Sequence, residues 1–557
     1  GNSNPATDPV WSVGWDTKSI LLAVRMPKSG WSFYRLPKAS HSYDGAHGWN
    51  TEWPRIRDIG EDKLLMTMHG TFWEFPKTFT PENSAGIAPR SNYLKVIGDF
   101  CRWNDRLVFG CDDVAMREFQ NRRRAKGEIA ATQSHSNLWF VEPERLDELG
   151  PAIGRGLVWE HEDVPAKTAS DPFLFLGYDV RCLHLSHTGD KPVSVFIEVD
   201  RNGDGNWTKL HEVQADNYSF VKFSPEDAGT WVRLTCKQPA KSITAAFSYH
   251  ARDTRPDESA AMFEGLARPG QTRTAGVVRA RGKEKRTLAF VATNDKGEDL
   301  GLYELDGELN LKLNHEAGLL EWTQENAAIP KGILEIDEAS VLFVDDKGNR
   351  WRLPKGDAAF DNYPGEYRVD REIVTERDLL NAHGTFYELP SPNSGGFIKI
   401  RPVATHNRMI HDYCGYRGLI VVSGVAVEAG EDNPHILKSN DGKAALWAGT
   451  IDDLWQFGKP RGNGGPWKNN SVKANEPSDP YLMTAYDLKT MTLSASEDTS
   501  IRVEVDITGN GDWATYKTFE MSAGKEVTHE FPAEFSAYWV RVQSSNACTA
   551  TAQLEYK

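Results

Sequence analysis

Cysteine is scarce and dispersed in this chain of 557 residues. Six are present (Cys101, Cys111, Cys182, Cys236, Cys414 and Cys548), and no two are spaced as CxxC. That excludes a zinc knuckle or a thioredoxin-like redox pair. The even number permits a disulfide or two without demanding one. No apolar run approaches the ~20 residues a helix needs to cross a membrane, so no membrane span is expected. Positive charge is in deficit: 64 Lys and Arg stand against 79 Asp and Glu, a formal charge of −15. A nucleic-acid grip rests on neutralising phosphates with Lys and Arg, so no nucleic-acid partner is expected. The one basic run, Arg122-Arg123-Arg124, reads as a solvated loop. Helical periodicity is almost missing and shows only over the short stretches 144–150 and 258–267. There is no Walker loop, no HExxH, no GxSxG, and no GxGxxG after a strand. The first ten residues, GNSNPATDPV, are polar and lack a signal peptide's apolar core. They read as a mature N-terminus from which a signal has been removed.

What is present is a folded, aromatic-rich composition, with 39% hydrophobic residues and 18 tryptophans. It also repeats itself. MHGTFWEFP (68–76) returns as AHGTFYELP (382–390), RLPK (35–38) returns at 352–355, and NLWF (137–140) resembles ALWA (445–448). SDPFLFLGYD (170–179) matches SDPYLMTAYD (478–487), IEVDRNGDGNW (197–207) matches VEVDITGNGDW (503–513), and TWVRL (230–234) resembles YWVRV (538–542). These matches fall in one order with a slowly drifting offset, which indicates an ancestral duplication.

Each copy opens with short apolar strands separated by Gly-containing turns, as in VLFVDDKGNRWRLP (341–354). Such strings predict an all-β protein, and their recurrence with W-x-L punctuation favours a β-propeller. Seven blades are expected, with five and eight as alternatives. Each copy closes with about six alternating strands that recur as an intact unit, predicting a small β-sandwich-like module. The expected division is 1–168 as the first half of the propeller and 169–254 as module 1. It continues with 255–476 as the second half and 477–557 as module 2.

Comparing the copies separates scaffold from specialisation. Glu52, Arg57, Asp58 and His69 have counterparts in Glu366, Arg371, Glu372 and His383, whereas His41, His47 and Trp49 have none and Arg55 faces Val369. A site gained by one copy would therefore carry His41, Tyr43, His47, His69 and Arg55 as catalytic candidates. Trp49, Trp53, Arg57, Glu52, His383 and His411 are the substrate-binding candidates. Histidine exchanges protons near working pH and Arg grips a carboxylate. Together with Tyr they suit β-elimination from a uronic acid. Glycoside hydrolysis would need two carboxylates at a set separation, for which Glu52, Asp99, Asp112 and Asp113 are candidates. Duplication of His69 and His383 leaves a structural role open for both. In DRNGDGNW (200–207), Asp200, Asn202 and Asp204 alternate like the start of a calcium loop, but position 211 is His211 where a loop glutamate is needed. A hairpin turn is the alternative there. No other cofactor or metal is expected.

At HGWNTEWPRIRD (47–58) and MHGTFWEFPKTF (68–79) the chain resembles secreted bacterial propeller enzymes of polysaccharide breakdown. The similar families are seven-bladed lyases and rhamnosidase-like enzymes. The resemblance implies a periplasmic or extracellular setting and a carbohydrate substrate. The resulting expectation is a carbohydrate-active enzyme, glycoside hydrolase or polysaccharide lyase. Its rival is a non-catalytic propeller that binds glycans or proteins. Oligomeric state is open.

Overall fold

The computed structural model describes residues 4, 6–45, 54–112, 136–281, 286–361, 367–374, 377–430 and 432–557. The architecture is all-β. Among the described residues there is one α-helix, Leu319–Asn326, which the sequence pattern did not reveal. The two stretches with helical periodicity form only short 3₁₀ turns, Pro143–Asp147 and Ala261–Phe263. Among the described residues no helix is long and apolar enough to cross a membrane. All six cysteines are free thiols, and only Cys101 is exposed.

The duplication is visible strand for strand. In the first copy a meander of Val10–Trp15, Ile20–Met26 and Gly30–Leu36 continues sideways into Phe173–Leu174, Trp231–Cys236, Val193–Asp200 and Trp207–Ala215. In the second copy Leu334–Ile336, Val341–Val344 and Arg350–Leu353 continue into Tyr481–Leu482, Trp539–Ser544, Thr499–Asp506 and Trp513–Met521 in the same order. The junction in each copy is a parallel pairing, Arg35 with Phe173 and Arg352 with Tyr481. Each junction is locked by the same ion cluster. Arg35 donates to Asp16 (2.9 Å), Ser19 (2.8 Å) and Asp171 (2.9 Å), and Arg352 to Asp337 (2.9 Å), Ser340 (3.0 Å) and Asp479 (3.1 Å). Both arginines are nearly inaccessible, so these charged hydrogen bonds act where water screens them little.

The six alternating strands read in each module are present, and a strand from before each module, 153–164 in the first copy and 462–472 in the second, pairs with the last of them. In the first, the sheet of 153–164, 240–250, 180–186 and 218–223 faces the strands that extend the meander. Leu183, Leu185, Phe247, Val195, Ile197 and Leu234 interdigitate between the layers. The remaining sheets are antiparallel: meanders at 55–92, at 97–112 with 136–141, and at 370–405; a sheet in 413–449 ordered 413–416, 419–422, 445–449, 436–438; and an additional one at 273–313, joined at its edge by 425–426, that has no counterpart among the described residues of the first copy.

The duplicated His-Gly pairs are two-residue hairpin turns. Met68 pairs with Thr71 across His69-Gly70, and Ala382 with Thr385 across His383-Gly384. Both central residues have positive φ, 48° and 73° in one copy and 51° and 79° in the other, as a type I′ turn requires. The loop 200–207 is likewise a turn. Asp200 accepts four backbone N–H groups, from residues 202 to 205, and Asp506 repeats this with residues 508 to 511. The alternating acidic residues are thus met by amide hydrogens, the arrangement of the hairpin reading.

Candidate functional site

The segment 37–45 runs between the two copies. Ser40 and Ser42 both donate their hydroxyls to Glu388 of the second copy, at 2.6 and 2.9 Å. The intervening His41 pairs instead with Asp44 across a turn closed by Asp44 N–H to His41 O. Its Nδ1 lies 2.7 Å from Asp44 Oδ2, and Lys38 Nζ lies 2.6 Å from Asp44 Oδ1. Burial works to raise the Asp44 carboxyl, but the His41 hydrogen bond and the neighbouring cation hold it well below the usual carboxylate range. His41 itself is lowered to about 4, first by burial and then by the charge of Lys399. An ionised Asp44 beside a neutral imidazole means that Nδ1–H donates and Nε2 keeps its lone pair.

His41 lines a narrow pocket of about 40 Å³ together with Lys18, Arg155, Glu160, Ser248, Lys399, Thr508 and Asn510. Two cations on its wall have no carboxylate partner among the described residues. Arg155 donates to Thr484 Oγ1 (2.8 Å), Ser536 Oγ (2.6 Å) and Ile507 O (3.3 Å) and lies over the Tyr538 ring. Lys399 donates to Thr508 O at 2.5 Å and lies over the same ring from 5.6 Å. Burial lowers both from their ordinary values. Ile507, Thr508 and Asn510 also border a larger groove of about 860 Å³ between the two modules, lined by Tyr218, His161, Asp512 and Trp513. Pocket and groove therefore lie on two sides of one loop.

The structure brings His41, Tyr43 and His69 together. His69 is fully buried, lowered to about 3 by burial, and donates Nδ1–H to Ser40 O at 3.1 Å. Its ring is flanked edge-on by Trp15 and Tyr43. Tyr43 donates to Lys95 O (2.8 Å), with the Arg377 guanidinium over its ring. Arg55 and Arg57 are placed elsewhere, on Asp99 at 3.3 and 3.0 Å. His383 sits 3.2 Å from Asp361 in the second copy's turn. His411 contributes its backbone, accepting from Arg368 N and donating to Ser423 O. His47, Trp49, Glu52, Trp53, Asp113 and Glu366 lie outside the described residues. Asp44, Lys38, Arg155 and Lys399 were not singled out by sequence reasoning. Arg155 and Lys399 come from segments more than a hundred residues away, and only Asp44, at i+3 from His41, carried a local signal. No group of three or more His, Cys, Asp or Glu among the described residues is arranged to hold a metal ion.

No family model and no curated protein matches the chain. Among solved structures it is similar to an 11S globulin from Wrightia tinctoria at 8% identity and TM-score 0.13, covering 83% of each chain. Vicilin from hazelnut, Corylus avellana, matches at 8% and 0.13, over 86% of this chain and 84% of that one. A GH32 β-fructofuranosidase from Bombyx mori matches at 9% and 0.11, over 99% and 90%. Similarities of this size carry no argument about fold or activity.

Proposed function

We propose that this protein is a carbohydrate-active enzyme that cleaves an acidic glycan by β-elimination at a uronic acid. The observation that carries the reading is the set of groups on one pocket: a neutral His41 held by ionised Asp44, with Arg155 and Lys399 unpaired by any described carboxylate. Arg155 and Lys399 would neutralise the uronate carboxylate, which stabilises the anion formed when C5 loses its proton. His41 Nε2 would take that proton, with Asp44 fixing the tautomer and stabilising the imidazolium; the C5 electron pair would then form the C4–C5 double bond as the C4–O bond breaks, and the imidazolium would return its proton to the leaving oxygen. A pocket of about 40 Å³ admits a carboxylate but not a sugar ring. The sugar ring would therefore stay at the pocket's mouth, with only its carboxylate between Arg155 and Lys399 and its C5–H facing His41. Hydrolysis is disfavoured because Glu160 is the one carboxylate among the pocket's lining residues. The test is a screen of uronate-containing glycans for unsaturated products, with His41→Ala and Arg155→Gln as variants. Loss of the general base should lower turnover ~10²-fold or more. Undiminished activity in His41→Ala would sink the mechanism.

The pocket's narrowness favours a second reading, a glycan-binding protein without turnover. That reading predicts wild-type binding with no product from any glycan. A periplasmic or extracellular setting accords with either substrate or ligand.

A propeller is part of the same proposal. Seven blades are expected from the strand pattern, but the meanders at 10–36 and 334–353 are edges of the module sheets. The other five pack partly side by side, with the first strands of 273–313, 413–449 and 370–405 adjacent, and those of 55–92 and 97–141 adjacent. That supports five blades, one of the alternatives.

A further inference from the structure

Two corresponding sheets have opposite surroundings. In the 413–449 sheet, Cys414, Val421 and Ala448 form one cross-strand row, with Tyr416 and Leu446 on the same face. All five are buried against Val278, Leu288, Phe290, Tyr303 and Leu305 of the additional 273–313 sheet. In the 97–141 sheet the corresponding row is Cys101, Val108 and Phe140, with Trp103 and Leu138 on that face. Here no described sheet covers it. Trp103 is 63% exposed, Leu138 66% and Phe140 49%. Isolated exposed apolar residues are ordinary, but a contiguous set on one sheet face marks an interaction surface.

The polar part of the contact is duplicated as well. In the second copy Asp412 pairs with Arg371 (3.3 Å). Asp412 accepts Val278 N–H at 2.9 Å and Arg371 donates to Val278 O at 3.0 Å, so the pair holds both backbone polar groups of one residue of the covering sheet. In the first copy Asp99 and Arg57 make the corresponding pair at 3.0 Å, with both side chains about half exposed. The first copy thus carries a face built to receive a β-sheet.

We propose that this face binds the same face of a second copy of the chain, giving a twofold dimer with the two 97–141 sheets packed against each other. The charges around it suit self-association. Among the described residues at its rim, Arg57 pairs with Asp99 and Arg106 with Glu142, a balance on a molecule whose formal charge is −15. Balanced pairs at the rim add little like-charge repulsion between two copies, and a twofold can set an arginine of one against an acid of the other. An isologous contact of this kind closes at two subunits.

Sedimentation and light scattering of the full chain over a wide concentration range test the proposal. The wild type is expected to be a dimer. Phe140→Asp and Leu138→Asp, both at exposed positions and checked for an unchanged circular dichroism spectrum, should raise the dissociation constant at least tenfold. Cys101, the one exposed thiol, lies in the middle of the face. A short bis-maleimide should therefore join two wild-type chains and fail to join two Cys101→Ser chains. A monomer at every concentration overturns the proposal. So does a dimer that tolerates both aspartates and is not cross-linked through Cys101.

Discussion

Replacing Glu388 by glutamine should weaken the fold by about 3 kcal/mol, and the structure supplies the magnitude in two ways. The carboxylate is almost inaccessible and bonds Arg377 (2.8 Å), Arg401, Ser40 and Ser42. Burial alone would raise it, but Arg401 and Arg377, aided by Ser40, hold it down to about 2 from 4.5. A difference of that size between folded and unfolded chains is about 3 kcal/mol. Independently, removing one partner of a buried ion pair strands the other charge at a cost of about 3–5 kcal/mol. Because the folded value is depressed, the contribution is fully present above pH ~4.5 and disappears as pH falls toward ~2. The duplication provides a control. Glu74, the corresponding residue of the first copy, pairs with Lys63 near the surface, with both side chains 40% exposed. Glu74→Gln should cost under about 1 kcal/mol. Urea unfolding at pH 7 measures both variants, and a repeat at pH 3 should shrink the Glu388→Gln deficit by more than half. Equal, small losses for the two variants would refute the idea that this carboxylate holds the copies together.

The paired His-Gly turns offer a second internal comparison. A Cβ on Gly384 would meet His406 O at 2.5 Å and the Phe360 ring at 2.5 Å, whereas one on Gly70 meets nothing nearer than 3.2 Å. Gly384→Ala should therefore lower the melting temperature more than Gly70→Ala, although both carry the strain of positive φ. Asp200→Ala removes the acceptor of four amides from a buried position and should cost about 2 kcal/mol in thermal or urea unfolding, with Asp200→Asn recovering part. Burial lowers His41, His69, His184, His250 and His406 to about 3 or 4. These rings stay neutral when folded but charge when unfolded, so stability should fall with pH from ~6.5 toward ~4. Replacing His69 by Asn should lessen that slope by about 1.4 kcal/mol per pH unit in urea titrations between pH 6.5 and 4.5.

Much of the scaffold was legible because it is local or repeated. The six strands of each module follow from alternation, and the parallel ion clusters of Arg35 and Arg352 lie within matching motifs. The missed helix 319–326 is short and starts at a left-handed Gly318 without a side-chain cap, so it lacked the usual start signal. The site was half legible. His41 stood out by lacking a counterpart, but its neighbours Arg155 and Lys399 come from the strand 153–164 and the 3₁₀ turn 396–399, and no sequence spacing encodes that meeting. Arg55 also lacked a counterpart, yet its side chain is on Asp99. The asymmetry between copies marks where they differ, and Arg55 reaches from the 55–92 sheet to Asp99 on the sheet whose counterpart is covered in the second copy.

The parallel pairing of Arg35 with Phe173, and of Arg352 with Tyr481, ties each meander to its module through main-chain hydrogen bonds. Cutting the chain between residues 168 and 169 would break a seven-stranded sheet at its middle and bare two strand edges, an invitation to aggregation. Neither the blades nor the sandwich is then a natural piece to express or shuffle alone. The heritable and foldable unit is the whole repeated half, which is the unit that was copied.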